Sequence, residues 1–307
     1  MKRVLIATEK PFAPVALEQI TSLLQKAGYE VCKLEKYASK SELLAACKDV
    51  HAMIVRSDIV DREVIQAALE LKVVVRAGAG FDNLDLAACT EKGVVAMNTP
   101  GQNSNAVAEL AIGMMIFMAR GQFKGGAGSE LKGKTVGVYG CGNIGRRVAK
   151  ISQGLGMKVV ALDPCITKVS MEPYDVRVVK GVDELFGLSE YLSVHIPLND
   201  HTRKSVNFEM MSKMPKGATL INTARKEVID EDGLKKMLNE RPDFKYISDI
   251  APANHAELAA SFDLRYYSTP KKQGAETSEA NYNAGVAAAE QIMAFFDSND
   301  QTYRVNR

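Results

Sequence analysis

The chain has 307 residues, a length that accommodates two domains of ordinary size, each with its own core. Lysine and arginine number 39 against 37 acidic residues, and the resulting charge of +2 argues against nucleic-acid partners and against a polybasic membrane anchor. The five cysteines form no CxxC or Cys/His cluster, which indicates reduced thiols in a cytoplasmic protein and no structural metal site.

Residues 1–98 alternate between strands and helices, the pattern of a parallel sheet with helices on both faces. Pro14 and the N-cap Asp61 mark helix starts, and Gly93 marks a helix end. The predicted strands are Val4–Thr8, Tyr29–Cys32, Ala52–Val55, Lys72–Val75 and Val94–Asn98, with helices from Pro14, at Ser41–Cys47, after Asp61 and at Leu84–Glu91. The next helix, Ser104–Arg120, is apolar but too short to cross a bilayer, and the N-terminus does not resemble a signal peptide, so we expect no membrane association.

A second alternation of strands and helices follows residue 134 and ends in a long helix. The predicted strands are Thr135–Tyr139, Lys158–Leu162, Leu192–Val194, Ala218–Asn222, Tyr246–Ile250 and Tyr266–Ser268, and later helices are Val182–Phe186, Asn207–Met211, Glu231–Leu238 and Thr277–Phe296. The stretch between Ile250 and Tyr266 is predicted as an irregular loop. Because a complete α/β layer precedes this one, the sequence predicts an α/β protein with two doubly wound parallel-sheet domains.

A dinucleotide-binding motif opens the second layer. The strand Thr135–Tyr139 runs into Gly140, Gly142 and Gly145, spaced as G-x-G-x-x-G, and a helical apolar pattern follows. One glycine allows the tight turn, one lets a pyrophosphate approach the backbone, and one lets the helix pack on the strand. Asp163 ends the next strand, where a carboxylate binds ribose hydroxyls and repels a 2′-phosphate, which favours NAD over NADP. The predicted NAD contacts here are Gly140, Gly142, Asn143, Ile144, Gly145 and Asp163.

Arginines follow several predicted strands directly. Arg56, Arg76 and Arg225 stand at the carboxyl ends of strands, where open α/β sheets bind ligands. A guanidinium offers a planar fork to carboxylate or phosphate, so three of them indicate an anionic substrate. Each arginine taken alone could instead be a surface cation paired with a neighbour, an alternative that three arginines at strand ends make weaker.

The stretch RAGAGFDNLDLAACTEKGVVAMNTPGQNSNAVAELAIGMMIFMAR, with HIPL from His195 and NTARKEVID from Asn222, resembles the D-isomer-specific 2-hydroxyacid dehydrogenase family. The resemblance covers nearly the whole chain and implies a Rossmann NAD-binding domain, 99–281, inserted into a flavodoxin-like substrate domain, 1–98 and 282–307. It further implies a homodimer and NAD-linked oxidation of 3-phospho-D-glycerate to 3-phosphohydroxypyruvate, the entry to serine synthesis. The chain ends before the regulatory domain that longer members carry, which predicts insensitivity to serine.

The resemblance also implies a role for each matching residue. Arg225 would hold the substrate carboxylate and polarise the C2 oxygen, while Arg56 and Arg76 would receive the phosphate. The remaining predicted substrate contacts are Ser57, Gly78, Ala79, Gly80 and Asn103, and the further NAD contacts are His195, Pro197, Thr202, Thr223, Ala224 and Asp249. No metal ligand is implied.

Two positions depart from the family pattern. The catalytic histidine that normally follows Thr-Pro is replaced here by Lys271 and Lys272, and Asn254 stands where the family has its orienting acid. One of the lysines could act as acid or base, as in a short, histidine-lacking subgroup of the family, provided that a lysine pKa of ~10.4 falls. His255 could instead supply the imidazole, or the chain could be a non-catalytic NAD-sensing protein. A glyoxylate or hydroxypyruvate reductase is the alternative within the enzyme class.

Overall fold

The computed structural model describes residues 1–165 and 176–306. These form two compact units, Met1–Asn103 with Thr277–Arg307 and Ser104–Glu276. Each boundary falls in the residues that precede a helix, Ser104–Ala119 or Ser278–Ser298. The predicted boundary at 281/282 cuts through the second of these helices, and because a helix packs as one body the division comes before its first residues.

The first unit is built on a five-stranded sheet in the order β2-β1-β3-β4-β5, with every pair parallel. This is the flavodoxin-like order, in which the topological switch point lies between β1 and β3. Its strands are β1 Arg3–Thr8, β2 Glu30–Glu35, β3 Ala52–Val55, β4 Val73–Arg76 and β5 Val95–Asn98, and its helices are α1 Pro14–Lys26, α2 Lys40–Ala46, α3 Arg62–Ala67 and α4 Leu86–Lys92.

Alternating side chains cover both faces of this sheet, as the pleat of a buried parallel strand requires. In β1, Val4 and Ile6 face a core shared with α1 and the C-terminal helix Ser278–Ser298, while Leu5 and Ala7 face the opposite core. The C-terminal helix therefore belongs to the first unit. The residues that follow it pair with β5, where Val305 N donates to Ala96 O at 2.8 Å.

The second unit is built on a seven-stranded parallel sheet in the order β12-β11-β10-β9-β6-β7-β8. Six of these strands reproduce the Rossmann order, with a switch point between β6 and β9. The strands are β6 Thr135–Tyr139, β7 Lys158–Leu162, β8 Arg177–Val178, β9 Tyr191–Val194, β10 Thr219–Asn222, β11 Lys245–Ser248 and β12 Tyr266–Ser268. The helices are α5 Ser104–Ala119, α6 Asn143–Gly154, α7 Val182–Leu188, α8 Phe208–Ser212, α9 Glu231–Glu240 and α10 His255–Ser261.

The predicted α/β class with two doubly wound sheets is confirmed, and three details of the prediction were wrong. The second sheet has seven strands rather than about six, because the two-residue strand β8 is too short to show an alternating pattern. The stretch predicted as an irregular loop contains α10, a run of good helix formers. Arg76 is the last residue of β4 rather than the first of a loop. Within the described residues, we find no helix of the length and apolarity that crossing a membrane requires.

Candidate active site

The glycine motif lies at the switch point of the second sheet. Gly140 follows β6 with φ of 90°, and a Cβ there would come within 2.8 Å of the backbone of His195 and Ile196. The loop after β9 is also bonded to the end of β6, because His195 N donates to Tyr139 O at 2.7 Å. Gly140 is therefore required both by its backbone conformation and by the close approach of the β9 loop.

The other two glycines serve different purposes. A Cβ on Gly145 would lie 2.2 Å from Gly140 O, so packing leaves no room for a side chain at this position. A Cβ on Gly142 would meet nothing within 4 Å, although this residue is the N-cap of α6 and directly precedes Asn143 and Ile144. The cradle is thus open where a pyrophosphate would approach the helix N-terminus, and these residues fit a dinucleotide.

Asp163, the predicted ribose-binding acid, lies beside the glycine turn. Its carboxylate accepts from Cys141 N and Cys165 N, both at 2.8 Å. These bonds fix the carboxylate against the motif, and a carboxylate can accept about four hydrogen bonds, which leaves capacity for ribose hydroxyls.

His195 is held as a neutral imidazole. Its Nε2 lies 2.8 Å from Ser193 Oγ and its Nδ1 lies 3.4 Å from Thr223 Oγ1. The residue keeps some accessible surface, but both ring nitrogens face protein hydroxyls, and burial lowers the pKa of His195 to about 3. The His195 ring is therefore held neutral between hydroxyls that follow or belong to β9 and β10.

The predicted cofactor contacts Pro197 and Thr202 are joined to each other. Thr202 Oγ1 donates to Pro197 O at 2.6 Å and accepts from Asn199 N at 2.8 Å. The hydroxyl therefore closes the loop that leaves β9 at the switch point.

Asn222 shapes the turn that carries Arg225. Its Oδ1 accepts from Ala224 N and its Nδ2 donates to Arg225 O, both at 3.0 Å. Asn222 is buried at the end of β10, and the adjacent Thr223 is buried as well, whereas Arg225 is partly exposed. The turn is thus fixed by an internal side chain, and the guanidinium that follows it reaches the surface of the unit.

Lys271 and Lys272 lie in the loop that leaves β12. Both side chains are exposed. The residues on either side are fixed by Asp249: its carboxylate accepts from Thr269 Oγ1 at 3.0 Å and from Gln273 N at 2.8 Å through Oδ1, and from Gly274 N at 2.7 Å through Oδ2. Asp249 is fully buried. It was predicted as a cofactor contact, and its carboxylate is engaged by the lysine loop.

His255 is bonded to a residue of β12. It begins α10, and its Nδ1 lies 2.8 Å from the hydroxyl of Tyr266. Tyr266 is the first residue of β12, whereas the lysines follow the last residue of that strand. Asn254, directly before His255, replaces the family's acid, and its Oδ1 is buried.

In the first unit, Arg76 lies flat against Gly78. A Cβ on Gly78 would come 1.5 Å from Arg76 Nη1, and the φ of Gly78 is 151°. Arg76 Nε donates to Arg56 O at 3.0 Å, which fixes the guanidinium across the ends of β3 and β4. The loop behind it is also held, since Thr99 N donates to Gly78 O at 2.9 Å and Asn98 Nδ2 donates to Ala79 O at 2.6 Å.

Arg56 has a different environment from the one predicted. Its Nη1 donates at 3.0 Å to the carbonyls of Lys10 and Pro11, its Nη2 bonds Asn281 Oδ1, and its guanidinium lies 5.4 Å from the centre of the Phe12 ring. These partners tie β3 to the start of α1 and to the C-terminal helix. Arg56 therefore stabilises the first unit, in addition to any contact that it makes with a phosphate.

Sequence reasoning missed the side chains that hold these loops. Asp58 is buried and accepts from Arg56 N at 2.9 Å, Tyr37 Oη at 2.8 Å and Glu9 N at 2.6 Å. Asn83 donates to Asp58 O at 2.7 Å. The other predicted substrate contacts occupy surface positions: Ser57 is exposed, Gly80 is partly exposed, and Asn103 lies in the turn before α5.

Comparison with known proteins agrees with this architecture. Residues 108–289 match the NAD-binding domain of the D-isomer specific 2-hydroxyacid dehydrogenases. The chain belongs to this family, which confirms the predicted family, and the match to its NAD-binding domain confirms NAD as the cofactor.

Particular relatives are similar over most of the chain. The crystal structure of NAD+-bound 3-phosphoglycerate dehydrogenase from Entamoeba histolytica matches with a TM-score of 0.91 and 46% identity over 100% of this chain and 99% of that one. D-3-phosphoglycerate dehydrogenase of Methanocaldococcus jannaschii is 37% identical over 83% of this chain, which spans 51% of that protein. Hydroxypyruvate reductase of Thermotoga maritima is 34% identical over 91% of this chain and 95% of its own length.

Proposed function

We propose that this protein oxidises 3-phospho-D-glycerate to 3-phosphohydroxypyruvate with NAD, the first step of serine synthesis. The observation that carries the proposal is the arginine at a strand end of each unit, Arg76 and Arg225, in a chain 46% identical over its full length to an NAD+-bound 3-phosphoglycerate dehydrogenase. A carboxylate and a phosphate each call for a cation of this kind.

Arg76 is the residue best prepared to receive the phosphate. Its Nε is fixed by Arg56 O at 3.0 Å, so the side chain is oriented before the substrate arrives. Gly78 supplies the room for the guanidinium, and because Gly78 N already donates to Arg76 O at 2.8 Å, the next backbone N–H groups along the loop are those of Ala79 and Gly80. Preorganised donors of this kind bind an anion without a large loss of side-chain entropy.

Arg225 and the lysine loop would act on the reacting carbon. The Arg225 guanidinium would bind the substrate carboxylate and stabilise the charge that develops on the C2 oxygen. Lys271 or Lys272 would take the proton of the C2 hydroxyl, and in the reductive direction its ammonium would return that proton. Bound NAD supplies the acceptor for the hydride that leaves C2. The glycine cradle and Asp163 would hold this cofactor through its pyrophosphate and ribose.

Hydroxypyruvate reductase is the second candidate, and one observation favours it. The engagement of Arg56 by Lys10 O, Pro11 O and Asn281 reduces the number of donors left for a phosphate. Hydroxypyruvate offers the same carboxylate and carbonyl to Arg225 but has no phosphate.

Steady-state kinetics in the reductive direction distinguish the two candidates. We expect NADH oxidation with 3-phosphohydroxypyruvate to give a kcat/KM at least about tenfold above that with hydroxypyruvate or glyoxylate, because a charge-assisted hydrogen bond contributes about 1.5–3 kcal/mol. Arg76→Ala should lower kcat/KM only for the phosphorylated substrate. Arg62→Ala is the matched control, since Arg62 lies in the same unit and pairs with Glu91 on α4.

The relative kcat/KM values distinguish the candidate functions. A higher kcat/KM for hydroxypyruvate that does not respond to Arg76→Ala would reject phosphoglycerate as the substrate. NADH binding without turnover of any of these compounds would favour the non-catalytic, NAD-sensing alternative.

The family resemblance also supports a homodimer that uses the second unit. Phe117 on α5 packs edge-on against Phe123 and Tyr267, with ring centres 5.4 and 4.9 Å apart. Phe123 remains 67% exposed and Tyr267 36% exposed. Apolar surface of this kind marks protein interfaces. Light scattering after gel filtration tests this, and Phe123→Glu should shift the protein toward the monomer. The reduced cysteines are consistent with a cytoplasmic location.

A further inference from the structure

Asp58 joins the ends of three strands of the first unit through one carboxylate. It lies in the loop after β3 and is 1% exposed. Its Oδ1 accepts from Glu9 N, after β1, at 2.6 Å and from Tyr37 Oη, after β2, at 2.8 Å. Its Oδ2 accepts from Arg56 N at 2.9 Å. This carboxylate fixes the three segments that carry its donors, because moving any of them would leave a buried polar group short of a hydrogen bond.

The peptide groups on both sides of Arg56 are oriented by these bonds. Arg56 N donates to Asp58, while Arg56 O accepts from Arg76 Nε at 3.0 Å and from Asn83 Nδ2 at 3.3 Å. Asn83 Nδ2 also donates to Asp58 O at 2.7 Å. The carbonyl that holds the Arg76 guanidinium therefore belongs to a turn that the Asp58 carboxylate and the Asn83 amide fix together.

The bond from Glu9 extends this control to the Arg56 side chain. Arg56 Nη1 donates at 3.0 Å to the carbonyls of Lys10 and Pro11, which directly follow Glu9. Because Glu9 N is held by Asp58, the segment that supplies these two acceptors is held as well. One carboxylate thus fixes the backbone that orients both guanidinium groups of the predicted phosphate site.

Tyr37 reaches Asp58 from a turn with an unusual backbone conformation. The preceding residue, Lys36, has φ of 55°, in the left-handed region that residues other than glycine seldom adopt, and Lys36 N donates to Thr8 O at 3.0 Å. Burial and the bond to Asp58 raise the pKa of the Tyr37 hydroxyl, so it remains a donor at physiological pH. The fold retains this strained turn, and the turn brings the third donor to the carboxylate.

We propose that Asp58 is the positioning residue that presents Arg56 and Arg76 to a phosphate group and so sets the preference for a phosphorylated substrate. The inference rests on the proposed function. An arginine has a long, flexible stem, so it binds an anion tightly only when its direction is fixed beforehand. A displacement of ~1 Å at such a group can cost about a hundredfold in rate. Asp58 acts through the two arginines, since its own carboxylate is buried and would repel a phosphate.

Two variants and one control test this role. Asp58→Asn offers one acceptor oxygen and an NH2 group, so it must lose the bond from one of the two backbone N–H groups. Tyr37→Phe removes one hydroxyl and keeps the ring, which provides a milder variant if the first folds poorly. Asp61→Ala is the matched control, because the Asp61 carboxylate caps α3 through Val64 N at 3.2 Å, and its loss should lower stability without changing the turn at Arg56.

The readout is the preference between two substrates, which a general loss of stability does not change. NADH oxidation gives kcat/KM with 3-phosphohydroxypyruvate and with hydroxypyruvate, and the ratio of the two values measures the preference for phosphate. Because unfolded protein lowers both values equally, the ratio does not depend on the active fraction. Asp58→Asn is also combined with Arg76→Ala, since a residue that acts through Arg76 has less effect once that guanidinium is removed. Urea unfolding and NADH titration are run on the same proteins.

We expect Asp58→Asn to lower the ratio by about tenfold to a hundredfold, mainly through a higher KM for 3-phosphohydroxypyruvate. Its NADH Kd should stay close to that of the parent, because the glycine cradle belongs to the other unit. Tyr37→Phe should lower the ratio less, and Asp61→Ala should leave it at the parent value. In the Arg76→Ala background, Asp58→Asn should change the ratio less than it does in the parent.

The proposal is overturned if the parent prefers 3-phosphohydroxypyruvate and Asp58→Asn keeps the same ratio. An unchanged ratio in Tyr37→Phe overturns it if Asp58→Asn does not fold, and so do effects of Asp58→Asn and Arg76→Ala that multiply fully. Failure of the proposed function has a different signature, because the parent itself then shows no preference for the phosphorylated substrate and no response to Arg76→Ala. That result rejects the proposed function and this proposal together.

Discussion

The substitution Gly78→Ala tests whether Arg76 binds the substrate phosphate. An added Cβ would lie 1.5 Å from Arg76 Nη1 and 2.4 Å from Arg76 Cζ. Non-bonded heavy atoms rest about 3.5 Å apart, so the guanidinium must retreat by about 2 Å. Since hydrogen bonds require donor–acceptor distances of about 2.7–3.2 Å, a displacement of that size breaks those that Arg76 would make to a phosphate.

The expected loss follows from the strength of these bonds. Each hydrogen bond to a charged group contributes about 1.5–3 kcal/mol, which corresponds to a fall of about 10- to 150-fold in kcat/KM. The fall should appear with 3-phosphoglycerate and 3-phosphohydroxypyruvate, and much less with hydroxypyruvate. NADH affinity should be unchanged, because the glycine cradle belongs to the other unit.

A matched control separates this effect from backbone strain. Alanine at the φ of 151° of Gly78 costs on the order of 1–3 kcal/mol of folding free energy. Gly28 has φ of 83° and open space around its Cβ position, so Gly28→Ala introduces strain of the same kind without moving an arginine. Urea unfolding should show both variants destabilised, and kinetics should show only Gly78→Ala impaired. Equal kinetics in the two variants would refute the role of Arg76.

Three further predictions concern the cofactor site, the pH dependence and the C-terminus. Gly142→Ala should preserve the free energy of unfolding, because its Cβ meets no protein atom within 4 Å, and should weaken NADH binding by about tenfold or more, because the Cβ occupies the space that the pyrophosphate would take. Gly145→Ala should lower the free energy of unfolding, since its Cβ would lie 2.2 Å from Gly140 O. Urea unfolding and NADH titration of both variants check these expectations. Burial lowers the pKa of His195 to about 3, so its contribution to stability is complete above about pH 6.5 and is lost as the pH falls toward 3. On going from about pH 7 to about pH 5, the parent should lose about 2 kcal/mol more unfolding free energy than His195→Gln, and equal losses in urea titrations would contradict the buried neutral imidazole. Asn306 is buried and its Oδ1 accepts from Ala96 N at 2.8 Å, so Asn306→Ala should lower the unfolding free energy by about 1–3 kcal/mol. A urea unfolding midpoint equal to that of the parent would contradict this.

Local patterns in the sequence were sufficient for most strands and helices and for the glycine turn after β6. The G-x-G-x-x-G spacing, read with the strand before it and the helix after it, predicted the tight turn at Gly140 and the close packing at Gly145. Asp61 was predicted as an N-cap for the same reason, and its side chain accepts from Val64 N at 3.2 Å. The two-residue strand β8 carried too little pattern to be recognised.

The side chains that hold the loops depend on partners far apart in the sequence. Asp58 joins Tyr37 and Glu9, and Asp249 joins residues that follow the next strand. Neither carboxylate shows a periodic or spaced signal, because its role arises only when neighbouring strands are brought into register. The same holds for Arg56, whose bonds to Lys10 O and Pro11 O cannot be read from its position after a strand.

The two departures from the family pattern are consistent with each other. An imidazole has two different nitrogens, and a carboxylate partner is needed to set its tautomer and orientation. An ammonium carries three equivalent donors and has no tautomer, so a protein that uses Lys271 or Lys272 has no need of the orienting acid that Asn254 replaces. What a lysine needs instead is a fixed backbone, and Asp249 supplies this by bonding Thr269 on one side and Gln273 on the other. Replacing Asn254 with Glu should therefore not raise kcat in the parent, whereas restoring a histidine at the lysine position should make activity depend on that added carboxylate.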